Sequence, residues 1–155
     1  MRVLALVALI PFTFGLAQSP ANALLGRWKL NVSKTHYGGG AEPRTRETFD
    51  CERVKSAISC TTRSVRADDR TVIGIFTAPD NGTPASVQGI ADVDEVRLWS
   101  VDAFIVDATF SHRGKPVLAY RAVRSSDGKS LTIISVDPST HAVLHSVVVY
   151  DAVLP

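Results

Sequence analysis

The sequence lacks the charge pattern of a nucleic-acid-binding protein and the apolar runs of a membrane-spanning one. Its 17 basic and 15 acidic side chains give a formal net charge of +2, and the two signs are interspersed. Nucleic-acid-binding domains concentrate Lys and Arg on one face, so no nucleic-acid partner is expected. Past residue 16, no apolar run approaches the roughly 20 residues that a helix needs to cross a bilayer. No transmembrane segment is therefore expected beyond the N-terminal leader described below.

Sequence motifs for catalysis are also missing. The chain has no Gly-x-Ser-x-Gly elbow to mark a nucleophile and no Cys-x-x-Cys redox pair. The carboxylate pairs Asp68-Asp69 and Asp92/Asp94 fall in expected turns, where solvated turn residues explain them. Two cysteines alone make a poor zinc site, because zinc takes four ligands or three plus water. We therefore predict no catalytic residues, metal or cofactor, and keep an unrecognised enzyme as a third hypothesis.

The four histidines do not form a metal-binding pattern. His36 falls in a Gly-rich loop, and His112 and His141 fall in or beside turns. His145 lies inside the last expected strand, where residues four apart are separated by about 13 Å. That distance is too long for His141 and His145 to share an ion, so surface histidines are expected.

The first residues have the features of a secretory leader. A basic start, Met1-Arg2, precedes an apolar run over residues 3–16 and small residues at Gly15-Leu16-Ala17. This order predicts a signal peptide over residues 1–17, and a second cleavage site after Ala23 stays open. No cysteine directly follows either site, which argues against a lipid anchor. We therefore expect a secreted or periplasmic protein.

Residues 18–155 are expected to form a single domain, since no linker, repeat or low-complexity tract divides them. They consist of short β-prone runs broken by turn residues, with almost no helical periodicity. The expected strands are 25–32, 44–53, 57–66, 70–78, 85–89, 96–99, 104–110, 117–123, 131–136 and 143–153. About ten strands joined by short connections indicate an all-β fold, an antiparallel up-and-down barrel of about 8–10 strands.

The two cysteines lie symmetrically about Lys55-Ser56. A two-residue hairpin turn there would place Cys51 directly opposite Cys60 in a non-hydrogen-bonded pair, where antiparallel strands come closest. Export would place the pair in an oxidising compartment, where disulfides persist. The spacing predicts a cross-strand Cys51–Cys60 disulfide, and its small loop limits the stabilisation to about 2–3 kcal/mol.

The opening of the first strand carries a family resemblance. Gly26-Arg27-Trp28-Lys29-Leu30-Asn31-Val32-Ser33-Lys34 resembles the GTWKLNxxKS opening of secreted bacterial lipocalin-like (calycin-type) β-barrel proteins of unknown function. Two later stretches, 121–132 and 147–151, are similar to the DGK hairpin and the VYD/E last strand of that group. Cys51 and Cys60 depart from the pattern. The resemblance implies a lipocalin-like barrel and export, and it implies no activity.

Candidate ligand-binding residues follow from the expected barrel. In calycins a cation from a late strand often packs across the first-strand Trp, which plugs one end of the barrel. Arg121 shares a strand phase with small apolar residues, so we predict that it points inward and stacks on Trp28, with an inward Arg also able to hold a ligand carboxylate. Further candidate lining or core residues are Tyr120, Phe104, Phe110, Phe76 and Trp99. The apolar phase of Phe104, Val106, Ala108 and Phe110 is expected to face inward.

Two non-enzymatic functions remain open from the sequence. The first is an exported barrel that binds a small apolar or amphipathic ligand, and the second is a structural or interaction module of the cell envelope with a filled core. An internal cavity separates them, because a typical ligand site needs about 300 Å³ or more.

Overall fold

We describe the protein from a computed structural model that covers residues 22–38, 42–139 and 143–153. The expected signal peptide, residues 1–17, lies outside the described residues, as do His141 and the side chain of His145. The one helical element described is a 3-10 turn at Val32–Lys34. In the described part of the chain, no helix has the length and apolar character needed to cross a membrane.

Ten strands account for the rest of the regular structure. They are β1 Gly26–Leu30, β2 Arg44–Val54, β3 Ala57–Arg66, β4 Thr71–Pro79, β5 Ala85–Gln88, β6 Glu95–Ser100, β7 Ile105–His112, β8 Lys115–Arg124, β9 Ser130–Val136 and β10 Val143–Ala152. Each is antiparallel to the next in the chain, and β1 also pairs with β10. The fold is thus the predicted all-β, closed, up-and-down barrel.

Side chains along each strand point alternately into the core and to the outer face. In β7, Val106, Ala108 and Phe110 are buried, as the apolar phase predicted. Phe104 precedes the first residue of β7 and is 46% exposed, so its predicted inward position is wrong. A residue outside the ladder does not follow the strand's alternation, which explains the difference.

The β2–β3 hairpin contains the disulfide. Its ladder pairs Val54 with Ala57 and Cys51 with Cys60, so Lys55-Ser56 is the two-residue turn. Lys55 has a φ of 56°, a left-handed conformation typical of tight hairpin turns. The two Cα atoms are 4.2 Å apart and the sulfurs are bonded. The predicted disulfide and its register are confirmed.

Trp28 closes the end of the barrel where β1 begins. Its side chain is 1% exposed, and its indole Nε1 donates a hydrogen bond to the backbone oxygen of Leu24 over 2.9 Å. Gly26 precedes it with a φ of 132°, a conformation that residues with a Cβ rarely adopt. The ring of Trp28 lies in contact range of the position that a Cβ on Gly26 would take.

The segment before β1 helps Trp28 to close this end of the barrel, and we call the two together the Trp28 plug. Asn22 is buried, and its Nδ2 donates to Asp80 Oδ2 over 3.0 Å and to Ser100 Oγ over 2.7 Å. These bonds tie the start of the described chain to the β4–β5 turn and the end of β6. Leu24 is fully buried next to Trp28, whose indole it binds through its backbone oxygen.

The disulfide gives a direct stability prediction. The variant Cys51→Ala/Cys60→Ala is expected to lose about 2–3 kcal/mol of unfolding free energy, because the unfolded chain regains the freedom of a short loop. Equilibrium unfolding in guanidinium chloride measures the loss. Thiol titration of the denatured protein should find no free thiol before reduction, and two reactive thiols in fresh protein would contradict the pairing.

Candidate functional site

A cavity of about 250 Å³ lies inside the barrel. Its lining residues come from the ends of β3, β7 and β9, the starts of β2, β4, β8 and β10, and the β5–β6 connection, so it lies toward the end opposite Trp28. The apolar part of the wall is formed by Phe49, Val72, Phe76, Ile90, Val93, Phe110, Leu118, Tyr120, Ile133 and Val148. Aromatic rings pack along it, with the Phe110 and Tyr120 centroids 5.5 Å apart and the Phe76 and Phe110 centroids 6.0 Å apart.

One wall of the cavity is polar, and Glu47 is its centre. The residue is 4% exposed, and its carboxylate accepts hydrogen bonds from the hydroxyls of Ser64 and Tyr150. Arg44 Nη1 donates to Glu47 Oε1 over 2.9 Å and to the Tyr150 hydroxyl over 3.2 Å. A buried carboxylate persists when it is paired and hydrogen-bonded, and Glu47 has both kinds of partner.

A β-bulge places Arg44 in this wall. The β2–β3 register shifts between Arg44 and Arg46, and Arg44 then pairs directly with Arg66 at the end of β3. Without the shift, the alternation that turns Glu47 inward would turn Thr45 inward as well and Arg44 outward. Bulges re-aim side chains in this way and are common near functional sites. Both arginines line the cavity.

Three buried donors in and beside this wall have no hydrogen-bond partner among the described residues. They are the Tyr37 hydroxyl, Arg44 Nε and Arg66 Nε. The Arg44 guanidinium lies over the Tyr37 ring, with its Cζ 5.9 Å from the ring centroid. Most buried polar groups in folded proteins are satisfied, so three such donors at one cavity indicate an unfilled hydrogen-bonding capacity.

Burial raises the pKa values of the tyrosine hydroxyls around the cavity. Burial raises the pKa of Tyr150 well above its ordinary value, and the Glu47 charge adds to the effect. The pKa values of Tyr120 and Tyr37 are also raised, mainly by burial. Burial alone would lower the pKa of the Arg44 guanidinium. The nearby Glu47 and tyrosines raise it by more, so the net shift is upward. At neutral pH the wall therefore presents protonated tyrosines and a charged arginine.

The structure separates the predicted ligand-binding residues. Tyr120 and Phe110 line the cavity, while Trp28 belongs to the plug at the other end and Phe104 lies on the surface. Phe76, a further candidate, also lines the cavity. The predicted set therefore contains part of the apolar wall and none of the polar wall.

The predicted stacking of Arg121 on Trp28 is wrong. Arg121 points outward with 49% of its side chain exposed, and its guanidinium forms a bidentate pair with Asp107, with both N–H···O distances 2.8 Å. Arg124 takes the predicted role, with its Cζ 5.2 Å from the Trp28 ring centroid and its Nη1 2.9 Å from the Leu25 backbone oxygen. Small apolar residues occupy both faces of β8, so alternation alone does not identify the inner one.

Trp99 lies on the outer surface and is not a lining residue of the cavity. It borders a pocket of about 640 Å³ on the outer surface of β6–β9, whose outward-facing row runs from Trp99 through Asp107 and Arg121 to Ile134. The exposed ring sits against the β4–β5 turn, where a Cβ on Gly82 would come within 2.2 Å of its Nε1.

The described histidines do not form a metal site. His36 makes an isolated bridge to Val147, and His112 Nδ1 lies 3.5 Å from Asp94 Oδ2. Within residues 22–38, 42–139 and 143–153, no group of three or more His, Cys, Asp or Glu side chains is placed to hold an ion.

The sequence analysis did not predict the polar wall, although the sequence contains a signal for part of it. Glu47 shares the strand phase of Phe49 and Cys51, so a carboxylate stands in an otherwise inward apolar row. Ser64 shares a phase with Cys60 in the same way. Arg44 gave no such signal, because its inward position depends on the bulge.

Comparison with protein-family models, with curated proteins and with solved structures finds no match to this chain. The closed antiparallel ten-strand barrel is compatible with the lipocalin-like resemblance of the β1 segment. The case for a function therefore comes from the cavity itself.

Arg124 and Arg121 provide a matched test of the plug. The change Arg124→Ala is expected to lower the unfolding free energy by about 1–3 kcal/mol, because it removes a cation over Trp28 and a donor to Leu25. Arg121→Ala removes an exposed ion pair and is expected to cost at most about 1 kcal/mol. Denaturant unfolding of both variants gives the ranking, and an equal or reversed ranking would contradict this assignment.

The buried tyrosines predict a loss of stability in alkali. Tyrosines of the unfolded chain titrate near pH 10, whereas the raised pKa values keep Tyr120 and Tyr150 protonated in the fold. The folded state then binds more protons, so the unfolding free energy falls as pH rises above about 10. Tyr120→Phe, which keeps the ring, should make this decline shallower by about 1 kcal/mol per pH unit. Denaturation curves from pH 9 to pH 11 test it, and an unchanged slope would count against the assignment.

Proposed function

We propose that this chain is an exported lipocalin-like protein that binds a small amphipathic molecule inside its barrel without chemically changing it. The observation that carries the proposal is the internal cavity of about 250 Å³, with apolar walls on most sides and one polar wall around Glu47 and Arg44. Ligand pockets are mostly apolar with a few placed polar groups, and this cavity has that composition.

The cavity size limits the ligand. At about 250 Å³ the cavity is below the roughly 300 Å³ that separates the two functions on size, so size alone does not favour ligand binding and a drug-sized ligand is excluded. The ligand we propose is therefore a short chain or a single ring with a polar end.

Export is supported by two independent features. The leader-like residues 1–17 have the order of a signal peptide, and the Cys51–Cys60 disulfide suits an oxidising compartment. The GTWKLNxxKS-like opening, together with the barrel, supports placing the chain among secreted lipocalin-like proteins.

The second candidate is a structural or interaction module of the cell envelope. The observation in its favour is the modest cavity, which the surrounding side chains could close by small rotations. The polar wall argues for the ligand-binding function, because a barrel that merely fills itself gains nothing from unsatisfied buried donors.

Native mass spectrometry of protein isolated from its own host tests the proposal. We expect a non-covalent adduct of a small organic molecule that disappears on denaturation. Protein that carries no adduct and takes up no small amphipathic compound would support the structural alternative.

A matched pair of variants on β9 locates the binding. Ile133 faces the cavity and Ile134 faces outward next to it. Ile133→Trp should fill the cavity and abolish binding, whereas Ile134→Trp should leave it unchanged. Thermal unfolding checks that both variants fold, since overpacking costs about 1–3 kcal/mol. Loss of binding in Ile134→Trp alone would move the site to the outer surface.

A further inference from the structure

Two arginines face each other on the inner surface of the barrel. Arg44 and Arg66 are direct partners in the β2–β3 ladder, and both line the cavity. Like charges placed directly opposite on a sheet destabilise it, so this pairing needs a compensating partner.

The neighbouring carboxylates compensate the pair incompletely. Glu47 lies 2.9 Å from Arg44, but the nearest carboxylate oxygen to Arg66 belongs to Glu42, at 3.6 Å. Glu42 is about half exposed and also pairs with Arg70 over 3.3 Å. The charged residues of the cavity lining are Arg44, Arg66 and Glu47, which leaves an excess of one positive charge.

The unsatisfied polar atoms favour the same kind of partner as this excess positive charge. Arg44 Nε, Arg66 Nε and the Tyr37 hydroxyl are all donors, because Tyr37 is protonated at neutral pH and burial raises its pKa further. The lining offers donors in excess, so its complement is a group that accepts hydrogen bonds and carries negative charge.

We propose that the cavity binds a short-chain organic acid, with its carboxylate held beside Arg44 and Arg66 and its apolar part against the aromatic wall. This inference rests on the proposed function and specifies the class of ligand. A carboxylate matches the planar guanidinium in geometry and charge. Both arginine side chains keep part of their surface accessible, so an incoming anion can reach them with a modest side-chain rotation.

Three eight-carbon probes separate the chemistry of the head group from binding itself. Octanoate, octanol and octylammonium are titrated by calorimetry into protein freed of bound lipid. We expect octanoate to bind about tenfold or more tighter than octanol, because charge-assisted hydrogen bonds replace neutral ones. Octylammonium is expected to bind weakest, since it brings a cation to an arginine pair.

Variants of β3 assign the preference to one side chain. Arg66→Met should remove most of the octanoate preference, and Arg66→Lys, which keeps the charge but not the fork, should retain part of it. Arg63→Met is the control, because Arg63 lies on the exposed outer face of the same strand. Arg44 is left intact since it holds Glu47, and Tyr37→Phe is expected to weaken octanoate by several-fold.

The outcomes distinguish this inference from the proposed function. Equal binding of octanoate and octanol, or tighter binding of octylammonium, would overturn the carboxylate assignment and leave ligand binding standing. A preference that survives Arg66→Met in a folded variant would overturn the arginine site. No binding of any probe would contradict both proposals.

Discussion

The barrel depends on the pairing of β1 with two strands at once. This five-residue strand pairs with β2 through Trp28 and Phe49, and with β10 through Trp28 and Ala152. It is the strand that pairs the first part of the chain with the last, so closure of the sheet relies on it. Closure removes the unpaired edges that an open sheet would expose, and it creates an enclosed interior. Every feature of the cavity follows from that closure.

Much of the fold could be predicted because local signals agree with the global architecture. Short β-prone runs separated by Asn-Gly and Asp-Gly turns predict consecutive hairpins, and β3 begins and ends at the predicted residues. The Cys51–Cys60 register followed from turn length alone, since a two-residue turn sets every pair in its hairpin. The prediction failed where local pattern carries little information. On β8 both faces carry small apolar residues, so nothing in the sequence told Arg121 from Arg124.

The candidate site was less predictable for a physical reason. Its apolar wall follows the alternation rule, which is why Phe110 was predicted from the apolar phase of β7. Tyr120 was a candidate as an aromatic residue, although the inward phase predicted for β8 was the opposite one. Its polar wall depends on tertiary events: a bulge that turns Arg44 inward, and a segment between β1 and β2 that brings Tyr37 against it. No residue pattern in the sequence indicates this one-residue register shift, yet the shift turns a charged side chain from the outer face to the inner one. Buried charge in small barrels is therefore best sought where a carboxylate such as Glu47 stands in an apolar phase.

The Trp28 plug has a consequence for how a molecule could enter and leave the cavity. The buried indole, the Arg124 guanidinium above it and the Asn22 hydrogen bonds close one end of the interior. For the ligand binding proposed above, this leaves the opposite end as the route for both entry and exit. Uptake and release share one barrier, so a change that opens the mouth speeds both and leaves the equilibrium between them unchanged. Under the proposed function, the occupancy of the cavity then depends on the concentration of ligand in the solution around that one end.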